Sequence, residues 1–415
     1  MKPPAPIFVV WPEYPPALGG MQVHGVEFAR ELHRRGDSFV VVASAPHAPG
    51  DAADAAEFDR IQGFAARRIL PRDAPLEQTL ALLERTARSV RPRAVFSSQV
   101  AYAPAFARLG VPVVCRSAGN DVLRPWIGPC DLTYRAVRRL PYEEQRARLR
   151  RNREWVCGAS AHCHALLCNS AWTRDAIRAK LPAFACETLP VVLGGVDVER
   201  FRPLPDREAV RRGLGWPDGA EVCFLAARHT LKKGIDTAIE ATGLLRKARP
   251  GLRLLIAGDG TETNHLRALT EELGLGDRVT FLGPLPHALM HRYLAAADIA
   301  LAPSRDIYDP RRFAIDYETM GRMICEAAAC GVPTVASRCG GIPEVVRDGE
   351  TGLLTRPNDP EGVAAAVDAL LADPAQARAM GERARAWAIE RLSFGRVNAE
   401  TLRWLTGEAA AEVVA

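Results

Sequence analysis

Four side chains in the second half of the sequence have the types and spacing to grip an anionic, polyhydroxylated ligand. Glu318 and Glu326 are separated by seven residues within the stretch Pro303–Glu344, and Arg228 and Lys233 stand just after a predicted strand. An acid set among Met323, Ile324, Ala327, Ala328 and Ala329 is costly to bury without a partner. Glu326 therefore marks either a binding site or a buried ion pair with an arginine.

The chemistry follows from where these groups fall on predicted elements. A helix starting near Met320, with Thr319 as its cap, points free N–H groups at whatever lies before it. Glu318 flanks that end, and Glu326 lies two turns past Thr319, about 10 Å along the same face. A nucleotide-sugar has that reach: its sugar would face Glu318, its diphosphate the helix terminus, and its ribose diol Glu326. Arg228 and Lys233-Gly234, ahead of a helix start, carry the charge to neutralise a diphosphate, though alone they read equally as surface cations. Gly258-Asp259-Gly260 is a tight turn of low specificity. Gly19-Gly20, between a strand and a helix, would let backbone N–H groups approach an anion, or simply make a structural turn.

The elements that position these groups read as two α/β series. Ile7–Trp11, Phe39–Ala43, Ala94–Phe96, Val111–Cys115 and Ala165–Cys168 are predicted strands of the first, with Ser170 capping the helix that follows. Val222–Ala227, Leu252–Ala257, Val279–Leu282, Ile299–Ala302 and Val332–Ala336 are those of the second. The expected division is a first doubly wound domain over 1–190, a Gly- and Pro-punctuated linker over 191–205, a second over 206–390 and a closing helical segment over 391–415. Ligands of such sheets sit outside the carboxyl ends of the strands, where Arg228, Gly258 and Glu318 all fall.

Bulk properties narrow the class. The 415 residues are 48% apolar and 25% charged, and a formal charge of +5 gives no indication of nucleic acid. Only five of the 54 basic residues are Lys, so isolated arginine clusters carry less weight. Ten cysteines form no C-x-x-C pair and read as reduced core thiols; Cys157, His162, Cys163, His164 and Cys168 match no zinc spacing. The amino terminus lacks an export signal, and no apolar run reaches the ~18–20 residues of a membrane span, so a cytoplasmic protein is expected. Tyr134–Trp155 carries eight arginines. It reads as a solvated helical face, or as a contact for anionic lipid that would hold the protein peripherally on the inner membrane face.

Together these residues resemble the family 4 glycosyltransferases, retaining enzymes of the GT-B fold, in which two Rossmann-like domains face across a cleft and a C-terminal helix crosses back. The resemblance rests on Glu318-x7-Glu326 and its continuation E-A-A-A-C-G-V-P-T-V-A-S, and on Gly340-Gly341-I-P-E-V-V-R-D-G-E-T-G-L-L. Arg228-x4-Lys233-Gly234, V-T-F-L-G at 279–283, A-D-I-A-L-A-P-S at 297–304 and G-V-D-V-E-R-F-R-P at 195–203 support it. It covers nearly all of the second domain and is looser in the first.

The resemblance implies a transferase that moves a sugar from a UDP- or GDP-linked donor to a glycan, lipid-linked or small-molecule acceptor, in cell-surface polysaccharide or glycoconjugate synthesis. It implies no cofactor and no divalent metal. Arg228 and Lys233 would stabilise the diphosphate as the glycosidic bond breaks, and Glu318 would lie by the donor sugar. The Met320-Gly321-Arg322 backbone would meet the phosphates, Glu326 the ribose, Leu285 the base, and Gly19-Gly20 the phosphates from the other domain.

Three departures stand out. Gly194 replaces the usual Asn, Ala118 replaces a His in S-A-G-N-D, and 13 residues separate Ser304 from Glu318. That insertion, with Asp306, Asp309, Arg311, Arg312 and Asp316, is either a substrate-gating loop or a tolerated surface loop. A nucleotide-sugar epimerase of the same fold and a non-catalytic sugar-nucleotide-binding protein remain as alternatives, the latter because of Ala118.

Overall fold

The computed structural model describes residues 4–14, 20–46, 49–71, 74–124, 140–309 and 314–407. They divide into two units, one running to Leu193 and resuming at Phe394, the other comprising Gly194–Asp309 and Ala314–Ser393.

The first unit is a six-stranded parallel sheet of β1 (Ile7–Val10), β2 (Phe39–Ser44), β3 (Ala66–Leu70), β4 (Ala94–Ser97), β5 (Val113–Ser117) and β6 (Ala165–Cys168). The order is β3-β2-β1-β4-β5-β6, with Ile7 opposite Phe39 on one side and Ala94 on the other. β1, β4, β5 and β6 are buried at every position, as strands of a sheet covered on both faces should be, although β4 and β5 carry the buried polar residues Ser97, Arg116 and Ser117. β3 escapes sequence reading because A-R-R-I-L alternates between half-buried and exposed positions at the sheet edge. Ser170 caps the helix Ala171–Lys180, its Oγ accepting the Thr173 N–H at 3.1 Å. The last helix, Phe394–Thr406, packs into this unit: Val397, Leu402 and Leu405 join the core of β1 and β4, and Asn398 Nδ2 donates to Glu27 O at 3.2 Å.

The second unit repeats the plan with β7 (Glu221–Ala226), β8 (Leu252–Ala257), β9 (Val279–Gly283), β10 (Ile299–Ala302), β13 (Thr334–Ser337) and β14 (Gly352–Thr355), in the order β14-β13-β10-β7-β8-β9. Both sheets thus have the Rossmann strand order, the first strand lying beside the fourth. In the second sheet this reversal falls between β7 and β10, where Cys223 pairs with Ile299. The segments leaving those two strands border the crevice in which such folds hold ligands.

Those segments touch. Gly234 closes the turn after β7 with φ +61°, and a Cβ there would sit 1.8 Å from the Pro303 carbonyl oxygen just beyond β10. The insertion before Glu318 folds in part as an antiparallel hairpin of β11 (Ile307–Asp309) and β12 (Ala314–Asp316), rather than as a plain loop.

Only glycine satisfies both the backbone and the space at 234. Gly234→Ala should lower stability by at least about 2 kcal/mol, read as a lower urea midpoint; an unchanged midpoint would refute the close approach.

Candidate active site

The turn Leu231–Lys233 places two adjacent lysines on two acids that are themselves two residues apart. Lys232 Nζ donates to Asp316 Oδ1 at 2.8 Å and to the Tyr317 carbonyl at 3.1 Å, while Lys233 Nζ contacts Glu318 Oε2. Ser304 Oγ adds a 3.4 Å contact to the same oxygen. Glu318 is 7% exposed. Burial alone would raise its carboxyl pKa, but the charges of Lys233 and Lys232 and the hydrogen bonds from Lys233 and Ser304 outweigh this and hold it below the ordinary glutamate range. Its backbone is equally enclosed: the carbonyl accepts from Gly341 N at 3.0 Å, and a Cβ on Gly340 would lie 1.7 Å from it.

The helix carrying Glu326 is Arg322–Ala329, so it starts two residues later than the sequence predicts. Gly321, at φ 90° and ψ 83°, is its cap and cannot belong to a right-handed helix; Thr319 is buried two residues ahead of it, outside the cap position. Met320 also precedes the helix, and its Sδ accepts the Gly194 N–H at 3.0 Å. Glu326 consequently stands one turn, not two, beyond the helix start.

The buried-pair reading of Glu326 is partly realised. Arg322 Nε lies 3.0 Å from Glu326 Oε1, a charge contact too bent to be a hydrogen bond, and His287 Nε2 lies 3.3 Å from the same oxygen. Arg322 was expected to contribute backbone; its side chain is turned along the helix to this carboxylate.

The remaining expected residues divide. Arg228 follows β7 and is exposed, with no side-chain partner among the described residues. Leu285 is half-buried, two residues past Gly283 and two before the helix His287–Ala296. Gly20 opens the helix Gly20–Arg34, whereas Gly19 lies outside the described residues. In Tyr134–Trp155 the described arginines are less available than their number suggests. Arg148 pairs with Glu144 at 3.0 Å and Arg153 donates to the Leu123 carbonyl, leaving Arg150 and Arg151 exposed without a described partner.

Sequence reading passed over Lys232, Ser304, His229 and His287. His229 is fully buried after β7, with Nδ1 2.9 Å from Thr263 Oγ1, and burial lowers its pKa. Its adjacency to Arg228 was the available signal. His287 gave none, because its contact with Glu326 spans 39 residues.

A cavity of about 590 Å³ opens at the other edge of the second sheet, near Glu221, Asp298 and Pro333. Three of its four arginines are already committed. Arg211 donates to the carbonyls of Ala296 and Ala220, Arg385 to those of Ala329 and Phe201, and Arg207 to Asp298 at 2.6 Å. Arg211 and Arg385 therefore stopper the carbonyl ends of the helices His287–Ala296 and Arg322–Ala329, and their charge is not left for a ligand.

Comparison with known proteins agrees with the two-unit fold. Two Rossmann-type units of this order define the GT-B class. The sequence model of Glycosyl transferases group 1 matches residues 206–387 and that of Glycosyltransferase Family 4 matches residues 18–200. The chain belongs to the family 4 glycosyltransferases.

One similar relative is a GDP-mannose-dependent alpha-(1-6)-phosphatidylinositol monomannoside mannosyltransferase of Mycolicibacterium smegmatis, 37% identical over 227 residues, or 54% of this chain and 57% of the relative. Another is a D-inositol 3-phosphate glycosyltransferase of Acidothermus cellulolyticus, 36% identical over 218 residues, 50% of this chain and 46% of the relative. The chain thus spans about half the length of these curated relatives. Among solved structures, HepE of Anabaena in complex with UDP has a TM-score of 0.73 at 21% identity, covering 97% of this chain and 99% of that one. WaaG, a glycosyltransferase involved in lipopolysaccharide biosynthesis, has a TM-score of 0.65 at 17% identity, covering 97% and 100%. These two share the fold.

A carboxyl held below its usual range when folded adds stability that is complete above the unfolded pKa, about 4.3 for glutamate, and is lost as pH falls through the folded value. Glu318→Gln should therefore be less stable than the native protein near neutrality, with the gap closing as pH drops below the ordinary glutamate range. A pH series of urea midpoints measures it; a gap that persists unchanged in acid would contradict the ion pairing.

Proposed function

We propose that the protein is a retaining glycosyltransferase that moves a hexose from a nucleoside-diphosphate sugar to a hydroxyl of a glycan, lipid-linked or inositol-bearing acceptor. The observation that carries this reading is Arg228. It is an exposed, unpartnered cation leaving β7 at the point where the strand order reverses, one turn from the Lys233–Glu318 pair.

In this reading the diphosphate lies against Arg228, Lys233 and the N–H groups at Gly321–Arg322, and the hexose lies by Glu318. The bond from the anomeric carbon to the phosphate oxygen breaks while the acceptor oxygen bonds to that carbon on the same face, and the acceptor proton passes to the leaving phosphate. The two cations stabilise the charge gathering on the diphosphate, so the proposal requires no divalent ion. Leu285 borders the base, and Glu326 receives the ribose diol. GDP-mannose is the first donor to test, since the M. smegmatis relative is named for it; UDP-linked hexoses come next.

Peripheral contact with anionic lipid through Arg150 and Arg151 forms part of the proposal, which is why an inner-face position is retained. No described helix is long and apolar enough to cross a membrane. Pelleting with phosphatidylglycerol vesicles at low salt, lost in an Arg150→Glu/Arg151→Glu double variant, is the expected result. Absence of pelleting would remove this contact from the account.

Arg228→Ala is the cleanest test of the reaction, because removing an unpartnered exposed side chain leaves the fold intact. Acceptor-dependent release of GDP or UDP should fall about 100- to 1,000-fold with an unchanged melting temperature, and EDTA should leave the native rate unaltered. Lys233→Ala should be equally slow but also less stable, since it strands the buried Glu318. Full activity in Arg228→Ala would overturn the assignment.

A further inference from the structure

We infer that His287 is a positioning residue for nucleotide binding: with Arg322 it fixes one oxygen of Glu326 and leaves the other to accept a hydrogen bond from a ribose diol. The inference rests on the proposed donor site and deepens it.

Glu326 has 5% of its side chain exposed. Both of its described partners lie on Oε1: Arg322 Nε at 3.0 Å, one helical turn earlier, and His287 Nε2 at 3.3 Å. The same His287 nitrogen also lies 3.4 Å from an Arg322 terminal nitrogen, but a ring N–H there can donate only to the carboxylate, because the guanidinium is itself a donor. Oε2 has no partner among the described residues and is not one of the buried orphan atoms. An ionised carboxylate accepts through both oxygens, so a group nearly sealed in protein with one oxygen doubly engaged and the other vacant has a direction built into it.

Two features hold the histidine in place. Its carbonyl accepts from Arg200 Nη2 at 2.6 Å, and its ring lies 5.6 Å from that of Phe201 at an angle of 58°. His287 is also the first residue of the helix His287–Ala296, immediately after the segment at Leu285 proposed to border the base. Without His287, the Glu326 side chain has only the bent contact to Arg322 on its own helix, and can rotate about its long axis. The loss should then fall on the diol alone, because no other part of a nucleotide depends on the direction of Oε2.

The test compares GDP or UDP, whichever binds the native protein more tightly, with its 2′,3′-dideoxy analogue by calorimetry on the full chain. The native protein should prefer the ribose nucleotide. His287→Ala should weaken the ribose nucleotide about fivefold and leave the dideoxy analogue unchanged, and His287→Gln, whose amide can donate and accept, should recover most of the difference. Glu326→Ala serves as the control and should abolish the preference. If Glu326→Ala removes the preference while His287→Ala weakens both ligands equally, or neither, His287 is merely structural and the inference fails. If Glu326→Ala keeps the preference, the placement of the ribose fails, and the inference with it.

Discussion

Burying the Glu318 carboxylate without losing its charge is the constraint around which the ligand-side edge of the second unit is arranged. Removing a carboxylate from water costs several kcal/mol even after the protein relaxes, and the cost is recovered only with well-placed partners. Here the partners come from the turn after β7, which must run tightly enough to bring Lys233 to Glu318 and Lys232 to Asp316. That tightness requires Gly234 against the Pro303 carbonyl, and the enclosure of the acid's own backbone requires Gly340. Three segments leaving β7, β10 and β13 thus converge on one buried residue, the first two on its carboxylate and the third on its backbone carbonyl. Their cations and open N–H groups sit at the reversal of strand order.

This arrangement gives the insertion a structural reading that loop length alone does not. Residues 305–317 are tied at both ends to the lysine turn: Arg305 N donates to the Lys232 carbonyl at 2.8 Å, and Asp316 receives Lys232 Nζ. Arg305 further contacts Asp236 and, at 2.7 Å, Asn358 Oδ1. A hairpin clamped this way at its base is part of the frame of the site, whatever its tip does.

Much of the fold was legible because the two sheets are buried on both faces, so their inner strands read as unbroken apolar runs. β3 and β14 were not, because these two edge strands are only partly buried and A-R-R-I-L and G-L-L-T carry no such run. Glu318, Glu326, Arg228 and Lys233 were legible as chemistry because charge in those settings needs an explanation. The start of the Glu326 helix was misplaced, since Thr319 has a capping side chain while Gly321 acts through a positive φ that sequence only hints at. His287 and the pairing of Lys232 with Asp316 depend on contacts across 39 and 84 residues, for which one sequence holds no signal.

The central claim is that the nucleotide occupies the carboxyl edge of the second sheet, on the Lys233–Glu318 frame. Hydrogen exchange of the full chain with and without GDP or UDP tests it most directly. The account predicts slowed exchange in the peptides spanning Arg228–Gly234 and Gly321–Glu326, with no change in those spanning Arg207–Arg211 and Pro374–Arg385, which line the cavity at the opposite edge. Protection confined to the latter would contradict it.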